Sequence, residues 1–196
     1  MGKKQMKTII WDVDDVLNDL MYSWFKEYRH VYDPNSNLSY HDLIQNPPHE
    51  ILGITLNEYK LSLDNYRNSE KGRNLKPNQQ IINWFRKDGA KYRHIALTAR
   101  PKQTIPFLAE WIFHHFGDWI RTLSFIPSYR EDEKLPVYDK TKTDFIIWLG
   151  KADYFIDDSE ENIKAAEEIG ITSFLFPQPW NNGKLAVKKI LEKISN

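Results

Sequence analysis

The chain has 196 residues, 41% hydrophobic and 28% charged, enough for one domain with an insertion or for two small domains with a proper core. Lys+Arg and Asp+Glu both number 27, which speaks against a nucleic acid polymer or an anionic membrane as partner, and zero cysteines exclude disulfides, thiolate nucleophiles and Cys-ligated zinc. The apolar run in MGKKQMKTIIWD is too short for a signal peptide, and no stretch approaches the roughly 18 apolar residues of a membrane span, so a cytoplasmic protein is expected.

In chain order, the first element is KTIIW (Lys7 to Trp11), an apolar strand followed at once by Asp12, Asp14 and Asp15. Three acids there repel one another and lose hydration, so a cation or donors must compensate. From Asp19 to Pro77 no buried strand is evident. MYSWFKEYRHVY puts Met21, Phe25, Tyr28 and Tyr32 on one helical stripe, with further helical pieces around HDLIQN and LNEYKLSLDNYRN. PPHE, SEKGRNLKP and SYREDEKLP read as loops, and Trp24, Tyr40, Tyr59 and Tyr66 are aromatics left over for packing or for stacking on a ligand.

Beyond residue 77 strands and helices alternate. Asn78 to Lys87 is helical, Tyr92 to Leu97 a strand delivering Thr98, Gln103 to Phe116 a helix, and Thr122 to Ile126 a strand. Lys142 to Leu149 is a helix with Thr141 as N-cap and Asp144 completing a capping box. The strand Tyr154 to Ile156 runs directly into Asp157 and Asp158, and Glu160 to Ile169, Ser173 to Phe176 and Lys184 to Ile194 complete the pattern as helix, strand and helix. This predicts an α/β fold, a Rossmann-like three-layer α/β/α parallel sheet formed by residues 1–18 and 78–196, with a small helical cap inserted over 19–77. The six histidines show no ligand spacing.

Asp12 and Asp14, two apart at a strand end, point to one side, and the carboxyl ends of parallel strands are where open α/β sheets bind ligands. With Asp157 and Asp158 they form an oxygen-rich set suited to Mg²⁺. Lys142 lies at the positive end of a helix dipole, where a lysine is unfavourable and needs another reason. A phosphate supplies it: Thr98 and nearby amides donate to the phosphate oxygens, the lysine balances charge, and Asp12 attacks. Taken singly, Thr98 reads as an ordinary strand residue, Asp157 and Asp158 as a helix cap, and Asn162 as surface or as a residue that orients Asp158.

DVDDVLN, LTAR, TKTDF and YFIDDS, in that order, resemble the four signature motifs of the haloacid dehalogenase superfamily of phosphohydrolases. The resemblance implies that Asp12 is the nucleophile and Asp14 the general acid/base. It further implies Mg²⁺ held by the Asp12 carboxylate, the Asp14 carbonyl and Asp157, with Asp158 nearby, and substrate bound by Thr98, Ala99, Arg100 and Lys142. Many relatives carry glycine where Asp15 stands, and Lys140 competes with Lys142 for the lysine role. The tail, with Pro179, Trp180 and Asn181 after the last strand, looks like that of 5′(3′)-deoxyribonucleotidases. The expected partner is a small phosphorylated metabolite, a nucleoside monophosphate in the first instance and a sugar phosphate as the alternative. A receiver domain would carry its phosphoacceptor on the third strand, which here ends FIPS, and a catalytically silent relative would lack an acid that this chain retains.

Overall fold

Four consecutive apolar or β-branched residues make β1 (Thr8–Trp11) a strand buried along its whole length, which requires cover on both sides. The computed structural model, which describes residues 6–128, 130 and 134–196, supplies that cover. After β1 come α1 (Leu20–Tyr32), α2 (Leu56–Asn68), α3 (Glu70–Arg73), α4 (Gln79–Asp88), β2 (Arg93–Arg100), α5 (Ile105–Phe116), β3 (Ile120–Pro127), α6 (Lys142–Leu149), β4 (Tyr154–Asp157), α7 (Glu160–Glu168), β5 (Thr172–Leu175) and α8 (Val187–Ser195). The five strands are parallel in the order β3-β2-β1-β4-β5, so β1 lies at the centre. This is the α/β architecture expected from the sequence.

Period-2 alternation divides the core. Ile9 and Trp11 face Ile81 and Phe85 of α4, Ile112 and Phe116 of α5 and Ile190 of α8, while Ile10 and Phe155 face Phe145 and Ile146 of α6 and Ile163 of α7. Register does the functional work. Trp11 pairs with Ala96 on one side and Ile156 on the other, and the Asp12 amide donates to the Ile156 carbonyl at 2.9 Å, so the residues following β1 and β4 emerge side by side.

Residues 19–77 fold around a separate apolar cluster that includes Leu20, Met21, Trp24, Phe25, Leu43, Tyr59 and Leu63. The chain leaves and re-enters the sheet at adjacent points, where Asn18 bridges Pro77 and the Asn78 amide donates to the Leu17 carbonyl at 2.8 Å.

Some sequence expectations are corrected here. Trp24 is 1% exposed and belongs to the buried stripe of α1, whereas Tyr32 is 62% exposed, because the last turn of α1 runs past its neighbours. SEKGRNLKP is not all loop: the Ser69 hydroxyl accepts from the Gly72 amide and starts α3. The helices expected from Gln103 and Lys184 begin later, at Ile105 and Val187, the first behind a short 3-10 turn over Lys102–Thr104. The SYREDEKLP loop lies partly outside the described residues. No helix among the described residues is long and apolar enough to cross a membrane.

Candidate active site

The strand ends open into a cleft of about 590 Å³ between the sheet and the insertion, lined by Asp12, Asp14, Asp15, Thr98, Ala99, Lys142, Asp157 and Asp158 from the sheet side and by Met21, Tyr59 and Arg67 from the insertion. Oxygens of Asp12, Asp157 and Asp158 lie within 4.8 Å of one another, and all three residues are buried. Lys142 stands between them, its Nζ 2.6 Å from Asp12 and 2.7 Å from Asp157. The capping box is the one read from the sequence: the Thr141 hydroxyl accepts from the Asp144 amide at 3.1 Å and the Asp144 carboxylate accepts from the Thr141 amide at 3.0 Å. It fixes the first turn of α6 so that Lys142 turns inward while Lys140 is exposed. Two acids are therefore the reason for a lysine at the positive end of the dipole.

Charge decides what this cluster can hold. Burial, with the like charges of Asp157 and Asp158, raises the Asp12 carboxyl well above its usual range, and burial with Asp157 and Asp15 raises Asp158 to about 7. Lys142, although buried, is held above its ordinary value by Asp12 and Asp157 and stays charged. With all three carboxylates ionised, one ammonium leaves a deficit of two positive charges. A divalent cation makes up the deficit, and an all-oxygen donor set fits Mg²⁺ in chemistry.

Asp14 takes no part in that cluster through its side chain. Arg100 donates to both of its oxygens, 2.7 Å from Nε to Oδ2 and through Nη2 to Oδ1. Arg67 adds a bond at 3.0 Å to Oδ2 and the Asn18 amide one at 3.4 Å to Oδ1. Burial opposes ionisation, but Arg100 and Arg67 override it and hold the Asp14 carboxyl well below the usual carboxylate range. Arg100, expected at the substrate, spends its guanidinium on Asp14 in this arrangement. It is absent from the cleft lining, and its guanidinium is committed to Asp14 because β2 ends beside the turn that carries Asp14.

Four further residues complete the site, of which Arg67 and Asn18 carried no signal in the sequence. Arg67 on α2 bridges Asp14 and Asp64 (3.0 and 3.1 Å), and Asp64 is gripped at 2.7 and 3.0 Å by Arg130, so the insertion is tied to the sheet domain by charge. Asn162, read as surface or as a partner of Asp158, donates instead to the neighbouring Asp157 at 3.0 Å. Trp180 donates from its indole to Asp158 at 2.8 Å. Asn18 accepts the amides of Asp15 (3.2 Å) and Leu20 (3.0 Å).

Asp15 has φ 62 and accepts the Met21 amide at 2.8 Å. Left-handed backbone explains why glycine is at home in this position, and the side-chain bond explains how an aspartate is retained. Asp15→Ala loses the bond and keeps the strain, whereas Asp15→Gly loses only the bond. The alanine variant is expected to be less stable than the glycine variant by about 1–2 kcal/mol, read from urea midpoints at equal slope.

No protein-family model and no curated protein matches the sequence. Solved structures do match by shape over nearly the whole length. A haloacid dehalogenase-like family hydrolase from Streptococcus pneumoniae aligns with TM-score 0.57 at 16% identity, over 96% of this chain and 98% of that one. A candidate phosphoglycolate phosphatase from Lactobacillus delbrueckii aligns with TM-score 0.62 at 12% identity (98% and 99%), and a candidate β-phosphoglucomutase from Thermotoga maritima with 0.55 at 17% (96% and 98%). The fold is the haloacid dehalogenase fold. At these identities the likeness concerns architecture, and the reading of the chemistry rests on the cleft itself.

Proposed function

We propose that the chain is a Mg²⁺-dependent phosphomonoester hydrolase of the haloacid dehalogenase superfamily, working through an aspartyl phosphate on Asp12, with residues 19–77 as its cap. The observation that carries this reading is the buried convergence of Asp12, Asp157, Asp158 and Lys142 at one cleft. Asp12, Asp157 and Asp158, with the Asp14 carbonyl, would hold Mg²⁺, which when bound neutralises charge on the cluster and on the phosphate.

In the first step an Asp12 oxygen bonds to phosphorus while the bond to the ester oxygen breaks, and Asp14, which takes up a proton from water once an arginine contact is released, gives that oxygen its proton. In the second, Asp14 takes a proton from water, the water oxygen bonds to phosphorus, and the bond to Asp12 breaks, releasing phosphate. Thr98 and the Ala99 backbone are in reach of the phosphate oxygens, and Lys142 offsets their charge. In the resting arrangement four donor contacts fill the acceptor positions of Asp14, so a proton can pass there only when one withdraws. Arg67 is the donor carried by the cap, and a turn of its guanidinium away from Asp14 Oδ2 would free that position while the cap stays closed. Tyr59 and Leu63 would roof the bound substrate and exclude water.

The alcohol part of the substrate is a small metabolite. Nucleoside monophosphates and sugar phosphates stand level, because in the loop of Pro179, Trp180 and Asn181 that pointed to a nucleotidase the indole N–H is committed to Asp158. A panel of both classes, assayed for phosphate release with Mg²⁺ and with a chelator, tests the proposal. Metal-dependent turnover of at least one class is expected, and no turnover on any ester with Mg²⁺ present would defeat it.

A further inference from the structure

The loop after β5 was singled out in the sequence for Pro179, Trp180 and Asn181, and the proposed chemistry leaves it without a task. Its construction is specific. Both ends of the Asn181 amide are used: Nδ2 donates to the Asp158 carbonyl at 2.7 Å and the Phe176 carbonyl at 2.8 Å, and Oδ1 accepts the Gln178 and Gly183 amides at 3.2 and 3.0 Å. Gln178 reaches the other acidic turn, donating to the Asp15 carbonyl at 2.6 Å, and accepts the Tyr40 hydroxyl of the insertion at 2.9 Å. A loop fixed at these points can aim one side chain accurately. That side chain is Trp180, half-buried, edge-on to Tyr40 at 6.1 Å, with its indole N–H 2.8 Å from Asp158 Oδ2.

We propose that Trp180 is a positioning residue for Asp158: the indole N–H holds Oδ2, leaves Oδ1 for a cation, and so sets the affinity of the acidic cluster for a divalent metal. This rests on the metal reading above. An indole is suited to the task because it only donates, so it fixes one carboxylate oxygen without competing for the metal. Partners of this kind behind a metal ligand typically change affinity by about 10–100-fold. Because Trp180 also packs against Tyr40, the same contact links the position of the insertion to the metal ligand.

The test is a titration of the substrate-free protein with Mn²⁺ followed by electron paramagnetic resonance, on wild type and on Trp180→Phe, which keeps an aromatic ring and removes the donor. The dissociation constant is expected to rise about 10-fold or more in the variant while its metal-free melting temperature stays close to wild type. A constant within about 2-fold of wild type overturns the proposal, as does a loss of stability with affinity unchanged, which is what simple packing would give. Absence of Mn²⁺ binding in wild type would instead overturn the metal reading. If Trp180→Phe fails to fold, the wild-type indole resonance of Trp180, assigned by triple-resonance NMR, is followed on adding Mg²⁺. It is expected to shift, and a resonance that stays in place while the metal binds rejects the proposal.

Discussion

Asp12→Asn is expected to reduce phosphate release by at least about 10³-fold on every ester the wild type turns over. The amide has the shape of the carboxylate but no anionic oxygen to bond to phosphorus, so the covalent route is closed and only binding and charge compensation remain. Folding should not suffer. Burial, together with the like charges of Asp157 and Asp158, already makes ionised Asp12 unfavourable, and asparagine still offers Lys142 an acceptor. The melting temperature of the metal-free variant should therefore equal or exceed that of wild type. Activity within about 10-fold of wild type would show that Asp12 is not the nucleophile, and a collapse in stability would show that the charge accounting of the cluster is wrong.

Lys142→Met is expected to be the most damaging substitution for stability. It removes the ammonium set 2.6 and 2.7 Å from two buried acids while keeping much of the volume. Taking one partner from a buried ion pair costs about 3–5 kcal/mol, because the remaining charges are left without compensation. The penalty has a definite pH dependence. Burial and Asp157 raise the folded-state carboxyl of Asp158 to about 7, and Asp12 is also raised, above the values they have in the unfolded chain. Between the unfolded and folded values the native state holds more protons, so stability falls as pH rises through that window. The variant should accordingly lose more at about pH 8 than at about pH 5, and Mg²⁺ should restore part of the loss at the higher pH. Thermal melts at the two pH values, with and without Mg²⁺, read this directly. A loss equal at both and indifferent to metal would mean that Lys142 acts by packing alone.

Much of the sheet and one side of the cleft were legible because they depend on short-range rules. An apolar run such as Thr8–Trp11 can only be a covered strand, and acids placed directly after two such runs must share the sheet edge once β1 and β4 pair. The capping box at Thr141 likewise fixed which lysine starts α6 and hence which one turns inward. The stripe of α1 was harder to read. Helical spacing alone admitted Tyr32 and passed over Trp24, since periodicity gives a direction around the axis but not how far along it the neighbouring elements extend.

By itself, then, the sequence determined which acids close which strands, the capping box that aims Lys142, and the helices at Leu20–Tyr32 and Leu56–Asn68, whereas the helical piece expected around HDLIQN is only the end of a 3-10 turn over Tyr40–Asp42. Only the tertiary structure decided what those acids answer to. Arg67 lies 53 residues from Asp14, Arg100 lies 86 from it and Trp180 lies 22 from Asp158, and no local pattern records such pairings. They exist because the insertion and the loop after β5 fold back over the sheet edge, where a buried carboxylate gains more from a distant donor than from the water it has lost.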